Sequence, residues 1–72
     1  MQYYAIQYKK TGQYIAGTDF NRADGKPRQI FASSLLPPKL FNGDELQAEI
    51  EKRRINLKNY RVVVVEVRKA VI

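Results

Sequence analysis

Cysteine and histidine are both absent from this 72-residue chain. Without them the protein can form no disulfide and lacks the usual zinc ligands. Small domains commonly gain stability from disulfides, a metal or oligomerisation, so self-association is the device that remains open. The same absence leaves general-base and nucleophile roles to Asp, Glu, Lys, Tyr or Ser, which weakens every enzymatic interpretation.

Carboxylates are also scarce, and the few that occur have structural roles to fill. Asp44 and Glu45 form the one adjacent acidic pair, and they lie where negative charge stabilises a helix start. Asp19 and Asp24 share a loop but lack the density of oxygen ligands of a calcium site. No glycine-rich phosphate-binding motif is present. We therefore predict a protein that is not an enzyme, has no catalytic residues and holds no metal or cofactor.

Long apolar runs are missing as well. The longest covers residues 62–65, whereas a membrane-spanning helix needs about 20 apolar residues. Residues 1–10 contain no apolar run of signal-peptide length, and the lack of cysteine fits a reducing compartment. We expect a cytoplasmic protein without membrane contact.

The first sixteen residues predict a β-hairpin. Residues 3–8 are aromatic and β-favouring, and residues 13–16 form a second β-type run. Gly12, between the two runs, can adopt the positive φ that closes a short hairpin loop.

Residues 17–27 predict a long surface loop, since they combine two Gly, three Asn or Asp and one Pro without a sustained period. A turn is expected at residues 24–25, and Phe20 is expected to pack back against the sheet. Residues 28–32 could form a third short strand, before two prolines at 37–38 force an extended passage.

The clearest local signal is a helix start. Asn42 can cap the helix while Glu45 reaches back in a capping box, and Phe41 and Leu46 flank them as a hydrophobic staple. The pattern predicts a helix over residues 43–54.

The predicted helix ends in three basic residues, 52–54, which suit the negative end of the helix dipole. The helix can carry two ion pairs, Glu49 with Arg53 and Glu51 with Arg54, and Arg53 is expected near the edge of its buried stripe.

Residues 60–67 predict a strand, and both of its faces are largely apolar. That pattern is typical of a central strand covered on both sides. One helix covers one face only. The second face must then meet a second copy of the protein or apolar residues earlier in the chain, namely Phe20, Ile30, Phe31, Leu35 and Leu36. The apolar pair at residues 71–72 favours the second copy.

Together these elements predict one α+β domain over residues 1–72, with the order ββ(β)αβ. We expect a small three- or four-stranded sheet with one helix packed on it.

The stretches YYAIQYKKTGQYIAGTDF, PRQIF, PPKLF and NYRVVVVEV are arranged around a short charged helix. This layout resembles small proteins encoded by phages and prophages of Gram-positive bacteria, and the likeness covers most of the chain. The resemblance implies a non-enzymatic protein that acts inside the bacterial host by binding nucleic acid or a host or phage protein. It assigns no functional residue.

Positive charge is what the chain has in excess, with 13 Lys and Arg against seven Asp and Glu, a formal net charge of +6. Such a balance favours polyanions, although small domains also need net charge for solubility. Several basic residues alternate with Tyr, as in surfaces that neutralise phosphates and stack on bases. We therefore predict a nucleic-acid-binding surface formed by Lys9, Lys10, Arg53, Arg54, Lys58 and Arg61.

The same basic and aromatic residues also suit purely structural roles. Basic groups complement a helix end, lysines keep a hairpin tip hydrated, and tyrosines fill a small core or its rim. No helix-turn-helix, RNA-recognition or KH consensus is visible. The alternative prediction is a protein-binding or self-associating module, an inhibitor or accessory factor, that forms a homodimer through residues 60–67 and the C-terminal tail.

Overall fold

Strands dominate the fold of this protein, which we describe from a computed structural model for residues 2–66. The elements follow the order β1 (Gln2–Tyr8), β2 (Ile15–Asp19), β3 (Arg28–Phe31), α1 (Leu46–Lys52) and β4 (Tyr60–Glu66). This confirms the predicted α+β class and the ββ(β)αβ order. Residue 67 of the predicted last strand and the apolar pair at 71–72 lie outside the described residues.

The four described strands divide between two small antiparallel pairs. β1 pairs with β4 in an unbroken register that runs from Gln2 opposite Glu66 to Tyr8 opposite Tyr60. β2 pairs with β3, and a bulge interrupts that register between Ile15 and Gly17. Isolated bridges, Tyr4 with Phe41 and Gln7 with Tyr14, connect the other edge of β1 to the rest of the molecule. β1 therefore has backbone partners on both sides.

The predicted turn after β1 is present. Gly12 has φ 77°, and its N–H donates to the Tyr8 carbonyl over 2.8 Å, while the Tyr8 N–H donates to the Gln13 carbonyl over 2.8 Å. The hairpin is shorter than expected, because its pairing reaches only Gln7 and Tyr14. From Tyr14 onward the chain pairs with β3 and the residue that follows it. The first hydrogen bond of this pairing runs from the Ala32 N–H to the Tyr14 carbonyl.

β2 continues to Asp19, so the predicted loop over 17–27 is shortened to residues 20–27. Its turn lies where expected, with Gly25 at φ 72° and its N–H donating to the Arg22 carbonyl. Phe20 differs from the prediction. Its side chain is 44% exposed, and its ring lies 5.7 Å from Lys52 Nζ at the end of α1 rather than against the sheet.

The predicted capping box is formed. The Glu45 N–H donates to Asn42 Oδ1 over 3.0 Å, and the Asn42 N–H donates to Glu45 Oε1 over 3.4 Å. However, it closes a turn over residues 43–45 and the helix itself begins at Leu46. Gly and Asp at positions 43 and 44 are poor helix formers, which explains the later start. Leu46 packs against the buried cluster that contains Phe41, as the staple requires.

α1 ends before Arg54, two residues earlier than predicted, because Arg54 adopts the left-handed conformation with φ 52°. The Arg54 N–H donates to the Glu51 carbonyl, and the Ile55 N–H donates to the Ile50 carbonyl. This is the Schellman arrangement, in which the residue after the turn contacts the last helical turn. Ile50 and Ile55 are indeed both buried in the same cluster.

The core is a cluster on one face of the β1–β4 pair. Its buried members are Ile6, Ile15, Phe41, Ile50 and Ile55, with Phe31, Leu46 and Tyr60 packed against them.

The prediction that residues 60–67 form a central strand is wrong for the described part. β4 lies at an edge, paired with β1 alone, and Val62 and Val64 are 37% and 57% exposed. Apolar residues predicted to cover it stay exposed instead, with Leu35 as the extreme at 94%. Only Phe31 of that group packs against the core. An apolar pattern on both faces describes the side chains above and below the sheet, and it does not determine how many strands pair along the two edges.

Candidate nucleic-acid interface

Pairing of β1 with β4 brings together basic residues that are distant in sequence. Lys9 and Lys10 follow the end of β1, whereas Lys58 precedes β4 and Arg61 lies in it. Tyr8 stands opposite Tyr60, and the Lys9 N–H donates to the Asn59 carbonyl over 2.8 Å. The four basic residues therefore share one end of the β1–β4 pair, which we call the basic end: Lys9, Lys10, Lys58 and Arg61.

Two turns form the backbone of the basic end. The first follows β1 and contains Gly12, and the second covers residues 56–60 before β4. In the second turn, Asn56 accepts hydrogen bonds at its carbonyl from the N–H groups of Asn59 and Tyr60, and its Oδ1 accepts one from the Lys58 N–H. Lys9 Nζ donates to the Leu57 carbonyl over 3.2 Å and so ties the first turn to the second.

Gln7 supports the first turn from inside β1. It stands opposite Arg61 in the register, and its Nε2 donates to the Gly12 carbonyl over 2.9 Å. Gln7 was not predicted as part of any site, because a single polar residue in an aromatic strand gives no signal of such a role.

Charge at the basic end is of one sign. All four of its basic residues are exposed, and neither segment that forms it, residues 7–14 and 55–65, contains an acidic residue. Within residues 2–66 the ion pairs are Arg22 with Asp24 and Glu49 with Arg53, both in other parts of the molecule. The positive charges of the basic end are therefore compensated by no salt bridge in the described part of the chain.

Arg53 does not belong to the predicted nucleic-acid-binding surface, because its side chain is buried and only 7% of the residue is exposed. Its Nε donates to Glu49 Oε2 over 2.8 Å and its Nη1 to Thr18 Oγ1 over 2.9 Å. Its carbonyl accepts a hydrogen bond from Gln29 Nε2 over 2.8 Å, and its guanidinium lies over the Phe41 ring. Arg53 thus joins α1 to the β2–β3 pair, and its charge does not face solvent.

The partners of Arg53 also hydrogen-bond to one another. Thr18 Oγ1 donates to Gln29 Oε1 over 2.6 Å while accepting from Arg53. The hydrogen bond from Arg53 lowers the pKa of Glu49, and the charges of Arg53 and Lys52 add to this against the opposing effect of partial burial. The predicted Glu49–Arg53 pair is confirmed, although it is a buried structural contact rather than a surface one.

Arg54 lies apart from the basic end. It is exposed at the turn after α1, and none of its described hydrogen bonds connects it to β1 or β4. Its predicted partner Glu51 instead accepts a hydrogen bond from Gln47 Nε2 over 3.3 Å.

Two tyrosines beside the basic end are engaged in packing. The rings of Tyr8 and Tyr60 are 5.0 Å apart, and Tyr8 also lies 5.7 Å from the Phe31 ring. Burial raises the pKa of Tyr60, with a smaller contribution from Tyr8. Both rings therefore belong to the rim of the core, the interpretation that competed with base stacking.

In the described part of the chain, residues 2–66, no helix is long and apolar enough to cross a membrane. The same residues include no cluster of three or more carboxylates that could hold a metal ion.

No family model, curated protein or solved structure matches this chain. The resemblance to phage and prophage proteins stays a prediction, and any assignment of function depends on the geometry of the basic end.

Proposed function

We propose that this protein is a non-enzymatic binding module that contacts nucleic acid through the basic end. The observation that supports the proposal is the convergence of Lys9, Lys10, Lys58 and Arg61 without an acidic residue in the segments that carry them. The proposal includes a cytoplasmic location in a bacterial host, as the phage and prophage resemblance implies.

The chemistry of the basic end suits phosphate groups. Lysine and arginine neutralise phosphates and release condensed counterions, so binding weakens as salt rises. Each phosphate contact contributes about −0.9 to the slope of log K against log salt for duplex DNA and about −0.7 for single strands. Four contacts predict a slope of roughly −3 to −4. Phosphate contacts carry no direct sequence information, so we expect weak preference among sequences.

The test is a fluorescence anisotropy titration of labelled single-stranded DNA, RNA and duplex DNA at several salt concentrations. The double variant Lys10→Gln/Lys58→Gln removes two charges from the basic end, where both side chains are exposed. We expect the salt slope to fall in magnitude by about 2, because each phosphate-contacting lysine accounts for about 1.

The matched control is Lys26→Gln/Arg28→Gln, which lowers the net charge equally at two exposed positions of the β2–β3 hairpin. Its slope should stay close to that of the unchanged protein. Equal loss in both double variants would show that net charge alone attracts nucleic acid. Absence of binding to all three probes at low salt would contradict the proposal outright.

A further inference from the structure

The edge of β4 that faces away from β1 has no partner strand within residues 2–66. The Asn59 carbonyl accepts from Lys9 on the β1 side, and backbone groups alternate in direction along an antiparallel strand. Residues 61, 63 and 65 therefore point their backbone groups at β1. Val62 and Val64 direct theirs, two N–H and two carbonyl groups, toward the open edge.

The hydrogen bonds of Tyr4 in β1 also indicate that the backbone groups of Val64 point toward the open edge. Its N–H and carbonyl both pair with Phe41, on the side of β1 that is remote from β4. Tyr4 stands opposite Val64, so this pair exchanges no hydrogen bond across the β1–β4 ladder.

The centre of the open edge is apolar, and its charged side chains, Arg61 and Glu66, lie toward the two ends of the strand. Val62 and Val64 share the sheet face of Ile6, which is fully buried, so they continue the core surface out to the edge. Native edge strands are usually protected by lysine, proline or a bulge. Between residues 61 and 66 there is neither lysine nor proline, and the register with β1 has no bulge.

We propose that β4 pairs antiparallel with β4 of a second copy of the chain, with Val63 of one copy opposite Val63 of the other. The inference does not depend on the proposed nucleic-acid contact. A two-fold dimer axis perpendicular to the sheet keeps each side chain on the same face in both copies. Residues that stand directly opposite each other share a face, and faces alternate along a strand. Opposite residues must therefore both have odd numbers or both have even numbers.

Among such registers, the one centred on Val63 fits best. It overlaps the whole strand Tyr60–Glu66 and places Val62 of each copy opposite Val64 of the other. Each of these two pairs exchanges two hydrogen bonds, which gives four between the copies. A register centred on Val62 would need the Tyr60 N–H, which already donates to the Asn56 carbonyl. A register centred on Val64 would place the Glu66 carboxylate against Val62.

A second copy fits this edge for two reasons. Each copy presents the same open edge, so the N–H and carbonyl groups of Val62 in one copy can pair with the carbonyl and N–H groups of Val64 in the other, and the reverse. Arg61 lies near one end of β4 and Glu66 at the other, so antiparallel pairing gives each end of the paired strands one positive and one negative side chain, on opposite faces of the joined sheet. Edge pairing over seven residues buries less than the roughly 1,000 Å² of a stable interface, so we expect a weak, reversible dimer.

The dimer would also combine the two basic ends on one assembly. Arg61 of one copy would stand opposite Val65 of the other, on the same face of the joined sheet. Four residues at about 3.4 Å each put the two Arg61 positions roughly 14 Å apart along the strands.

Single cysteines test the register directly, because the chain has none of its own. Val63→Cys would place its two Cα atoms about 4.5 Å apart in a non-hydrogen-bonded pair, within disulfide range. Val65→Cys lies on the same face and is the matched control, since its two Cα atoms would be roughly 14 Å apart. In a glutathione redox buffer, we expect at least about tenfold more covalent dimer from Val63→Cys. Similar yields, or a higher yield from Val65→Cys, would overturn the proposal.

Sedimentation equilibrium provides a second readout. The unchanged protein should show a dimer whose population rises with concentration between about 10 μM and 1 mM, the range expected of a weak interface. Val64→Lys should remain monomeric with an unchanged far-UV circular dichroism spectrum, because the side chain is 57% exposed. A protein that stays monomeric at 1 mM, or a dimer that Val64→Lys leaves intact, would contradict pairing through β4.

Discussion

Replacing Arg53 should destabilise this protein far more than replacing the arginine next to it. In the change Arg53→Met, Glu49 loses its charge partner and Thr18 loses a hydrogen-bond donor, while the aliphatic part of the side chain is kept. The matched control is Arg54→Met, because Arg54 is exposed and makes no ion pair within residues 2–66.

The magnitude follows from burial of the pair. Removing one partner of a buried ion pair costs about 3–5 kcal/mol. The Glu49 side chain keeps 21% of its surface exposed, so water can hydrate the abandoned carboxylate and reduce this penalty. We expect Arg53→Met to lower the free energy of unfolding by about 2–3 kcal/mol. The total free energy of unfolding of a chain of this length is only about 4–11 kcal/mol. The Arg54→Met control should stay within about 0.5 kcal/mol.

Urea denaturation followed by circular dichroism measures both variants. A slope near 1 kcal/mol per molar urea, typical of small proteins, converts the expected loss into a midpoint shift of about 2–3 M. Equal midpoints for Arg53→Met and Arg54→Met would refute the structural role of Arg53.

The same network predicts an acid dependence of stability. Because Arg53 lowers the pKa of Glu49 in the folded protein, the folded state binds fewer protons than the unfolded state in the acid range. This contribution is present above the ordinary pKa of 4.5 and is lost as pH falls through the lower folded value. The Glu49→Gln variant lacks the titrating group, so its stability should vary less with pH in that range. An unchanged acid dependence in Glu49→Gln would contradict the assignment.

Two further predictions concern the turn after α1 and the rim of the core. Arg54→Gly should raise the free energy of unfolding by up to about 1 kcal/mol relative to Arg54→Ala in urea denaturation, since glycine accepts the positive φ without strain; a glycine variant no more stable than the alanine variant would argue against strain at this position. Stability should fall as pH rises above the ordinary tyrosine pKa of 10.0, because burial raises the pKa of Tyr60 and the unfolded chain loses that proton first. Tyr60→Phe should reduce this alkaline loss in thermal unfolding, and an identical alkaline profile would assign the effect to other groups.

Local chemistry could be predicted because its causes lie within a few residues. The Asn42–Glu45 capping box needs only residues three apart, and the turn at Gly12 needs only a residue that tolerates positive φ. The end of α1 was less predictable, because a Schellman turn usually has glycine where this chain has Arg54.

The candidate site was predicted in part. Lys9, Lys10, Lys58 and Arg61 could be selected from charge, but their convergence depends on the antiparallel register of β1 with β4. Arg53 was selected by the same criterion and is buried, since charge in a sequence does not reveal whether Glu49, Thr18 and Gln29 will surround it.

The sequence by itself determined the α+β class, the order of elements, the helix start and the excess of positive charge, because each follows from local propensity or composition. Only the tertiary structure decided that, within residues 2–66, β1 has partners on both edges while β4 lies at an edge with Val62 and Val64 exposed. Strand order results from competition among pairings between distant segments, and the side-chain pattern of one strand does not contain that information.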